Sequence, residues 1–407
     1  MMGRPYDEAR DLAAVTRMWR EVGWIDDSDG QAAGLKTFLA MADARVADVR
    51  GEAECLVHHA FGTIRHSGTD LPLCAISAVT TSHVGRRQGL ASALLVEALG
   101  EAVDAGAAVA TLGFFEQGYY DRFGFGTSTY EHRLSLDPAS LQVPLPDRPP
   151  VRIGADDLGE LHALLTRRHR GHGSVVLDPP QWFEPEWAWL DKPFGLGFRS
   201  GDGRLTHAFI GSAQDEHGPY RIEILGYEEP HQLLELLGVV RTLGDQVNRV
   251  VFADEPAGIQ LQDLTEEPIR QRRVARLAGG SGALHEAVAN QQDRILDLDA
   301  CIGAVHLRTP PVAFGLHLRD PIAAFGGWPG IGGEHTVRLG EESSLSHGID
   351  DALPVLDASV GAFSRLWMGV RPATGLALTD DLTGPPALLE ALDEAFRLPS
   401  PRAGWIY

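Results

Sequence analysis

Thr80–Ser92 reads TTSHVGRRQGLAS. Two arginines and two glycines stand between an apolar run and a helical pattern. A helix start leaves backbone N–H groups without partners and carries a partial positive charge. Gly89 has no Cβ, so a ligand can come close to the main chain there. Arg86 and Arg87 add full charge beside it, and Gln88 completes the loop. Such a loop is a cradle for a pyrophosphate. The flanks supply the context that this reading requires. Leu73–Thr80 (LCAISAVT) is short and largely apolar, like a buried strand. Leu90, Leu94, Ala98 and Val103 recur at roughly helical spacing, and Gly106 is a C-terminal stop. Ala107–Phe114 (AAVATLGF) reads as the next strand. The order is strand, phosphate loop, helix, strand.

Toward the N-terminus, Leu12, Val15, Trp19 and Val22 mark an amphipathic helix over Asp7–Val22. Arg45–Val49 and Glu54–Thr63 read as strands. His58 and His59 are adjacent, so they face opposite sides of their strand; one is expected in the core and one in solvent. Toward the C-terminus, Glu116–Gly126 (EQGYYDRFGFG) places two tyrosines before an RFGF turn, and Thr129–Leu136 reads as the last strand of the first unit. Asp137–Pro150 holds five prolines, which suits a linker and neither a helix nor a central strand.

Val151 opens a second unit with the same element order. Its helix is expected over His231–Leu243, between strands Tyr220–Tyr227 and Arg249–Ala253. The loop before that helix is EEPHQ, acidic and without glycine, and it repels a pyrophosphate. Trp182, Phe183, Trp187 and Trp189 are expected to bury rings at a domain contact. Arg167–Gly173 (RRHRGHG) reads as a solvated basic turn, and GGSG at Gly279–Gly282 as a flexible connection. A third unit begins near Gln291. Val312–Leu318 and His335–Leu339 read as strands, Leu353–Trp367 and Pro386–Phe396 as helices. The chain closes on Trp405, Ile406 and Tyr407, side chains that call for burial and so fix where the α-carboxylate lies.

With 407 residues the chain has length for several domains and ample core. No apolar run approaches the ~18 residues that span a bilayer, and the charged start MMGRPYDEAR carries no secretory pattern. Cys55, Cys74 and Cys301 are too scattered for a disulfide framework or a zinc site, which suits reduced thiols in a cytoplasmic protein. The net charge of −21 argues against nucleic-acid binding and favours cationic partners.

Together these features resemble the Eis-type (enhanced intracellular survival) N-acetyltransferases of the GNAT superfamily in actinobacteria. The resemblance spans the whole chain and is strongest over Val79–Phe125, where Arg86-x-x-Gly89-x-Ala91 matches the acyl-CoA pyrophosphate loop. It implies an α/β (α+β) fold: a catalytic GNAT domain (1–140), with a mixed central sheet flanked by helices, and a Pro-rich linker (141–150). A degenerate GNAT domain (151–288) and a sterol-carrier-protein-like α/β domain (289–407) would follow. It also implies an acyltransferase that uses acetyl-CoA as co-substrate and no metal, assembled as a homo-hexamer. Its acceptor would be a primary amine on an aminoglycoside, another polyamine or a lysine side chain.

By the same resemblance, Val79, Thr80, Thr81, Arg87, Gln88, Gly89, Leu90, Ala91 and Ser92 contact acetyl-CoA, with Phe115 and Glu116 beyond them. Tyr120 matches the general acid, and the carboxylate of the last residue, Tyr407, the general base. The chain departs from the family in lacking a third basic residue in the loop, in Phe115 where a small residue is usual, and in ending on Tyr rather than Phe. Two rival readings remain open. One is a lipid- or acyl-CoA-binding protein without turnover, and the other is the same fold using a different acyl-CoA.

Overall fold

The computed structural model describes residues 3–114, 116–265 and 284–407. Phe115 and the GGSG stretch lie outside the described residues. Among the described residues the strands form three sheets. The first has eight strands. Arg4–Pro5, Asp43–Val49, Glu52–His66, Thr69–Thr81, Val109–Gly113, Gln291–Ile295 and Gly126–Thr127 follow in that spatial order, and Val175–Leu177 pairs beside Glu52–His66. Gly62 is required at that last crossing, since a Cβ there would overlap the Val176 carbonyl. Thr69–Thr81 and Val109–Gly113 run parallel. A parallel pair needs a crossover, and the apolar helix Leu90–Asp104 supplies it, ending in Gly106 at φ +88°.

The second sheet has seven strands, ordered Leu284–Val288, Glu131–Leu136, Val250–Phe252, Tyr220–Tyr227, Leu205–Ala213, Pro193–Arg199 and Val151–Arg152. The third has five, ordered Ser344–His347, Gly333–Leu339, Val312–Arg319, Val355–Ser359 and Leu382–Thr383. This mixed α/β architecture agrees with the fold class read from the sequence. No helix among the described residues is long and apolar enough to cross a membrane.

The sheets exchange strands, which corrects two expectations. Glu131–Leu136, expected to finish the first sheet, pairs inside the second between Leu284–Val288 and Val250–Phe252. Gln291–Ile295, expected to open the third unit, lies in the first sheet between Val109–Gly113 and Gly126–Thr127. The Pro-rich stretch is also no free tether. Leu141 and Val143 are buried, and Gly238 of the helix Pro230–Thr242 lets the Pro144 carbonyl approach. Leu353–Trp367 is not one helix: Val355–Ser359 pairs parallel to Val312–Arg319, and the helix Val360–Trp367 starts after the Ser359 cap.

The RRHRGHG loop is a buried joint rather than a solvated turn. Arg168 donates to the carbonyls of Leu165 (2.7 Å), Val175 (2.8 Å) and Ala403 (2.9 Å). Main-chain oxygens thus satisfy a buried guanidinium and hold the C-terminal tail. Nearby, His172 Nδ1 accepts from Ser67 N (2.9 Å) and its Nε2 donates to the Met368 carbonyl (3.0 Å). His66 Nε2 donates to the Trp367 carbonyl (3.0 Å) while its ring stacks on Trp367 at 4.2 Å. These two histidines tie the strand Glu52–His66 and the loop at His172 to the end of the helix Val360–Trp367. His58 and His59 are likewise both buried, against the expectation of one in solvent. Both faces of that sheet are covered: His58 stacks on Phe38 (4.0 Å), and the His59 ring meets Phe61 edge-on at 5.7 Å.

A buried ion pair locks the third sheet to the first. Arg294 and Asp320 meet at 2.5 Å, both fully buried. Arg294 also donates to the Phe123 carbonyl, and its guanidinium lies 4.8 Å from the Trp328 ring. Asp320 accepts from Ile331 N as well (2.8 Å). Gly124, at φ +78°, leaves the space that the guanidinium fills.

Removing one partner of such a pair leaves an uncompensated charge. Asp320→Ala should therefore lower the unfolding free energy by about 3–5 kcal/mol in a denaturant titration. The histidine joint makes a second prediction. Burial pushes the His66 imidazole down to about 4, and its neighbour His172 below its ordinary value. A folded-state value below the unfolded one gives stability that is present above about pH 6.5 and lost as the pH falls toward 4. The unfolding free energy should fall between pH 7 and pH 5, with His66 contributing at a rate approaching ~1.4 kcal/mol per pH unit and His172 adding in the same direction. His66→Gln should lose less over the same interval.

Candidate active site

The parallel pairing of Thr69–Thr81 with Val109–Gly113 runs only from Leu73/Val109 to Ile76/Leu112. Past Ile76 the two strands part. The cause lies on the opposite edge. The register with Glu52–His66 slips between Leu56 and His58, and Ala78 adopts φ +50°. An extra residue in one strand bends it away from its neighbour. The gap is a cavity of about 300 Å³, lined by Ser77, Ala78 and Val79 on one side, Gly113 and Phe114 on the other, and closed by Tyr120 and Tyr407.

The loop that follows is set by its main chain. Ser82 N donates to the Glu54 carbonyl (3.0 Å), and a Cβ on Gly85 would come within 2.7 Å of that same oxygen. Gly89 is the N-cap of the helix Leu90–Asp104, at φ +77°, with no side-chain cap. The first-turn N–H groups are therefore open to a ligand. A Cβ placed on Gly89 would meet nothing within 4 Å, so the space in front of it is free. Arg86, Arg87, Gln88 and Gly89 are exposed around this opening, while Ala91 and Ser92 are half-buried. These residues fit a diphosphate. Thr80 and Leu90 are buried. Val79 lines the cavity, and Thr81 Oγ1 lies 3.3 Å from Cys55 Sγ. Glu116 is exposed past the strand end.

One residue at this opening escaped the sequence reading. Arg122 donates to Ser92 Oγ (3.2 Å) at the helix start, with its guanidinium 5.1 Å from the Tyr119 ring. It brings a third cation to a loop that supplies two. Its only signal was its place in the RFGF turn. The corresponding helix of the second sheet differs. Pro230–Thr242 begins with proline, and the Gln232 side chain accepts from Glu228 N (2.8 Å) and Glu229 N (2.9 Å). Those two donors are already used, and Pro230 has none to offer, so this start is poorer in free N–H groups than the one after Gly89.

Tyr120 opens the short 3₁₀ turn Tyr120–Phe123, which the Arg294–Asp320 pair pins from behind. Burial pushes its phenol well above the ordinary value, with Tyr119 and Glu116 adding to the shift. It therefore keeps its proton at neutral pH. The tail reaches the same cavity. Trp182 Nε1 donates to the Ile406 carbonyl (2.7 Å), and the Tyr407 hydroxyl lies 2.8 Å from Thr111 Oγ1. Burial near Asp293 raises the Tyr407 phenol as well. A Tyr407 main-chain oxygen stands 3.3 Å from where a Cβ of Gly113 would be, so the chain end faces the parted strands.

A second cavity, of about 330 Å³, lies on the other side of this tail and shares Gly113, Asn290 and Tyr407 with the first. Its walls carry Glu131, Glu223, Asp254 and Glu255, but also Arg133, Arg168, Arg221 and Arg402. The lining is thus mixed rather than acidic. Arg402 pairs with Asp254 (2.6 Å), and Arg221 with Glu223. Burial raises the Glu131 carboxyl.

Residues 9–128 match a family model described as an acetyltransferase (GNAT) domain. A protein of Streptomyces avermitilis, described as an uncharacterized N-acetyltransferase, is 32% identical over 148 residues, covering 30% of this chain and 34% of that protein. The match thus spans about a third of that relative's length. Three solved structures are similar over nearly the whole chain. Eis1 from Mycobacterium abscessus has a TM-score of 0.77 at 19% identity, covering 100% of both chains. A GCN5-related N-acetyltransferase from Kribbella flavida has a TM-score of 0.76 at 18% identity, covering 100% of this chain and 98% of that one. An Enterococcus faecalis protein titled a probable N-acyltransferase has a TM-score of 0.78 at 14% identity, covering 96% and 95%. At such identities the likeness concerns the fold. The first part of the chain thus matches a GNAT acetyltransferase domain, and the whole chain shares its overall fold with these three structures.

Proposed function

We propose that the chain transfers an acetyl group from acetyl-CoA directly to a primary amine. The supporting observation is that one small cavity between parted strands is closed by Tyr120 and Tyr407, and that the strand carrying Ala78 and Val79 leads on to an uncapped helix start. In this reading Arg86, Arg87, Gly89 and Ser92 hold the diphosphate, and Arg122 adds to their grip. The thioester enters the gap past Ile76, where a backbone N–H near Val79 polarises its carbonyl. The amine attacks that carbon, so a C–N bond forms and the C–S bond breaks. The Tyr407 carboxylate takes the proton lost by the amine. It is a weak base, and its use depends on being held within hydrogen-bond reach, directly or through a water. Tyr120 gives its proton to the departing thiolate.

The acceptor enters through the larger cavity, whose mixed lining offers carboxylates to an ammonium alongside arginines. Aminoglycosides, other polyamines and lysine side chains share that chemistry. We read the second sheet as a degenerate copy of the first unit and the third as a sterol-carrier-protein-like unit. The resemblance that suggests this also suggests a homo-hexamer, which mass measurement in solution would decide.

Tyr120→Phe removes the proton donor and little volume. Turnover, followed as free-thiol release with a panel of amines, should drop roughly 10²–10⁴-fold while acetyl-CoA still raises the melting temperature. Unchanged turnover would remove Tyr120 from the chemistry. Residues appended after Tyr407 should abolish thiol release, and full activity in such a protein would dispose of the carboxylate's role. Gly89→Val puts a branched side chain at a left-handed position and should weaken acetyl-CoA binding by on the order of tenfold, about 1.4 kcal/mol.

A further inference from the structure

His132 lies on Glu131–Leu136 and His285 on Leu284–Val288, strands that pair antiparallel with Ala287 opposite His132. His285 is therefore the diagonal neighbour of His132 on the same face of the sheet. His132 Nδ1 and His285 Nε2 stand 2.8 Å apart. An N–H···N hydrogen bond alone would explain that distance, but a third group converges on the pair. Glu255, in the turn after the strand Val250–Phe252, brings a carboxylate oxygen so that the three ligand atoms lie within 4.8 Å of one another. Glu255 is buried, and its Oε1 accepts from Leu261 N (2.9 Å), which leaves the carboxylate capacity for a further bond. Asp254 fixes the neighbouring backbone: its Oδ1 accepts from His132 N (2.8 Å) and from Arg402 (2.6 Å).

We propose that His132, Glu255 and His285 form a binding site for one divalent transition-metal ion of the zinc class, with water as the remaining ligand. Two imidazoles and one carboxylate are a zinc donor set, whereas magnesium and calcium take oxygen ligands. A tetrahedral ion with bonds of about 2.0–2.1 Å separates its ligand atoms by roughly 3.4 Å. The two rings need to part by about half an ångström and the Glu255 carboxylate to close in by about one or more, which side-chain rotation supplies. The three cysteines are all buried as free thiols, so none competes for the ion at the surface. The ion would join three segments: the edge strand Leu284–Val288 of the second sheet, its neighbour Glu131–Leu136 and the turn that carries Asp254 and Glu255. Those two acids also line the larger cavity. Metal binding would therefore stiffen the wall against which Arg402 anchors the tail.

The test uses the full-length protein with any histidine tag removed, stripped with chelator and titrated calorimetrically with Zn²⁺ alone. The expected result is one ion per chain and a higher melting temperature with Zn²⁺. His285→Gln and His132→Gln should each weaken uptake by a hundredfold or more, and Glu255→Gln by tenfold or more. Each variant should melt near the wild type without metal. If one fails to fold, the other two give the same reading. Co²⁺ in place of Zn²⁺ should give the visible absorption of a tetrahedral nitrogen and oxygen site, and the variants should lose it. The chain holds 16 histidines. Zn²⁺ uptake that is unchanged in both histidine variants would overturn the assignment, as would no uptake at all.

Discussion

The end of one parallel strand pairing governs the rest of this molecule. Leu73–Ile76 and Val109–Leu112 share a ladder, and one residue later they do not. A ladder that continued would fill the gap with its own hydrogen bonds. The extra residue at Ala78 and Val79 prevents this, at the cost of a left-handed alanine. The bend leaves main-chain groups facing a cavity instead of each other. It also aims the strand's end at the glycine-containing loop, so cavity and uncapped helix start lie in sequence along one path.

The walls of that cavity come from distant parts of the chain. Tyr120 stands on a turn whose backbone is held by Arg294 and Asp320. Tyr407 arrives on a tail held by Arg168, Trp182 and Arg402. None of these supports touches the cavity through its own charge. Their role is to fix two phenols and a chain end against a strand that has already turned aside. Charged groups are buried here because main-chain carbonyls and fixed acids satisfy them, which serves placement more than stability.

The strand-to-helix loop before Leu90–Asp104 was legible because its signals are local: a glycine, two arginines and the periodicities on either side. The tail was legible because three large side chains at a chain end call for burial. The strand exchange was not. Glu131–Leu136 (EHRLSL) alternates as a strand should, but alternation does not say which sheet it joins. Gln291–Ile295 (QQDRI) hides further, because Gln292, Asp293 and Arg294 are buried and no hydropathy pattern marks them as interior. Arg122 was missed because its effect depends on Ser92, thirty positions away on another element. The RRHRGHG loop was misread for a related reason. Its charges look solvated until the carbonyl of Ala403, 235 positions on, is brought to Arg168.

The exchanged strands bear on how the protein is made. Thr111 and Asp293 bond across neighbouring strands of one sheet, yet 182 positions separate them along the chain. A ribosome adding about 5–20 residues per second needs roughly 10–40 s to cover that interval. Throughout it, the edge of Val109–Gly113 waits without its neighbour, an open template for foreign strands. Nascent chains of this architecture thus have a long window of vulnerability, in which a chaperone's shelter counts for more than the final stability of the sheet.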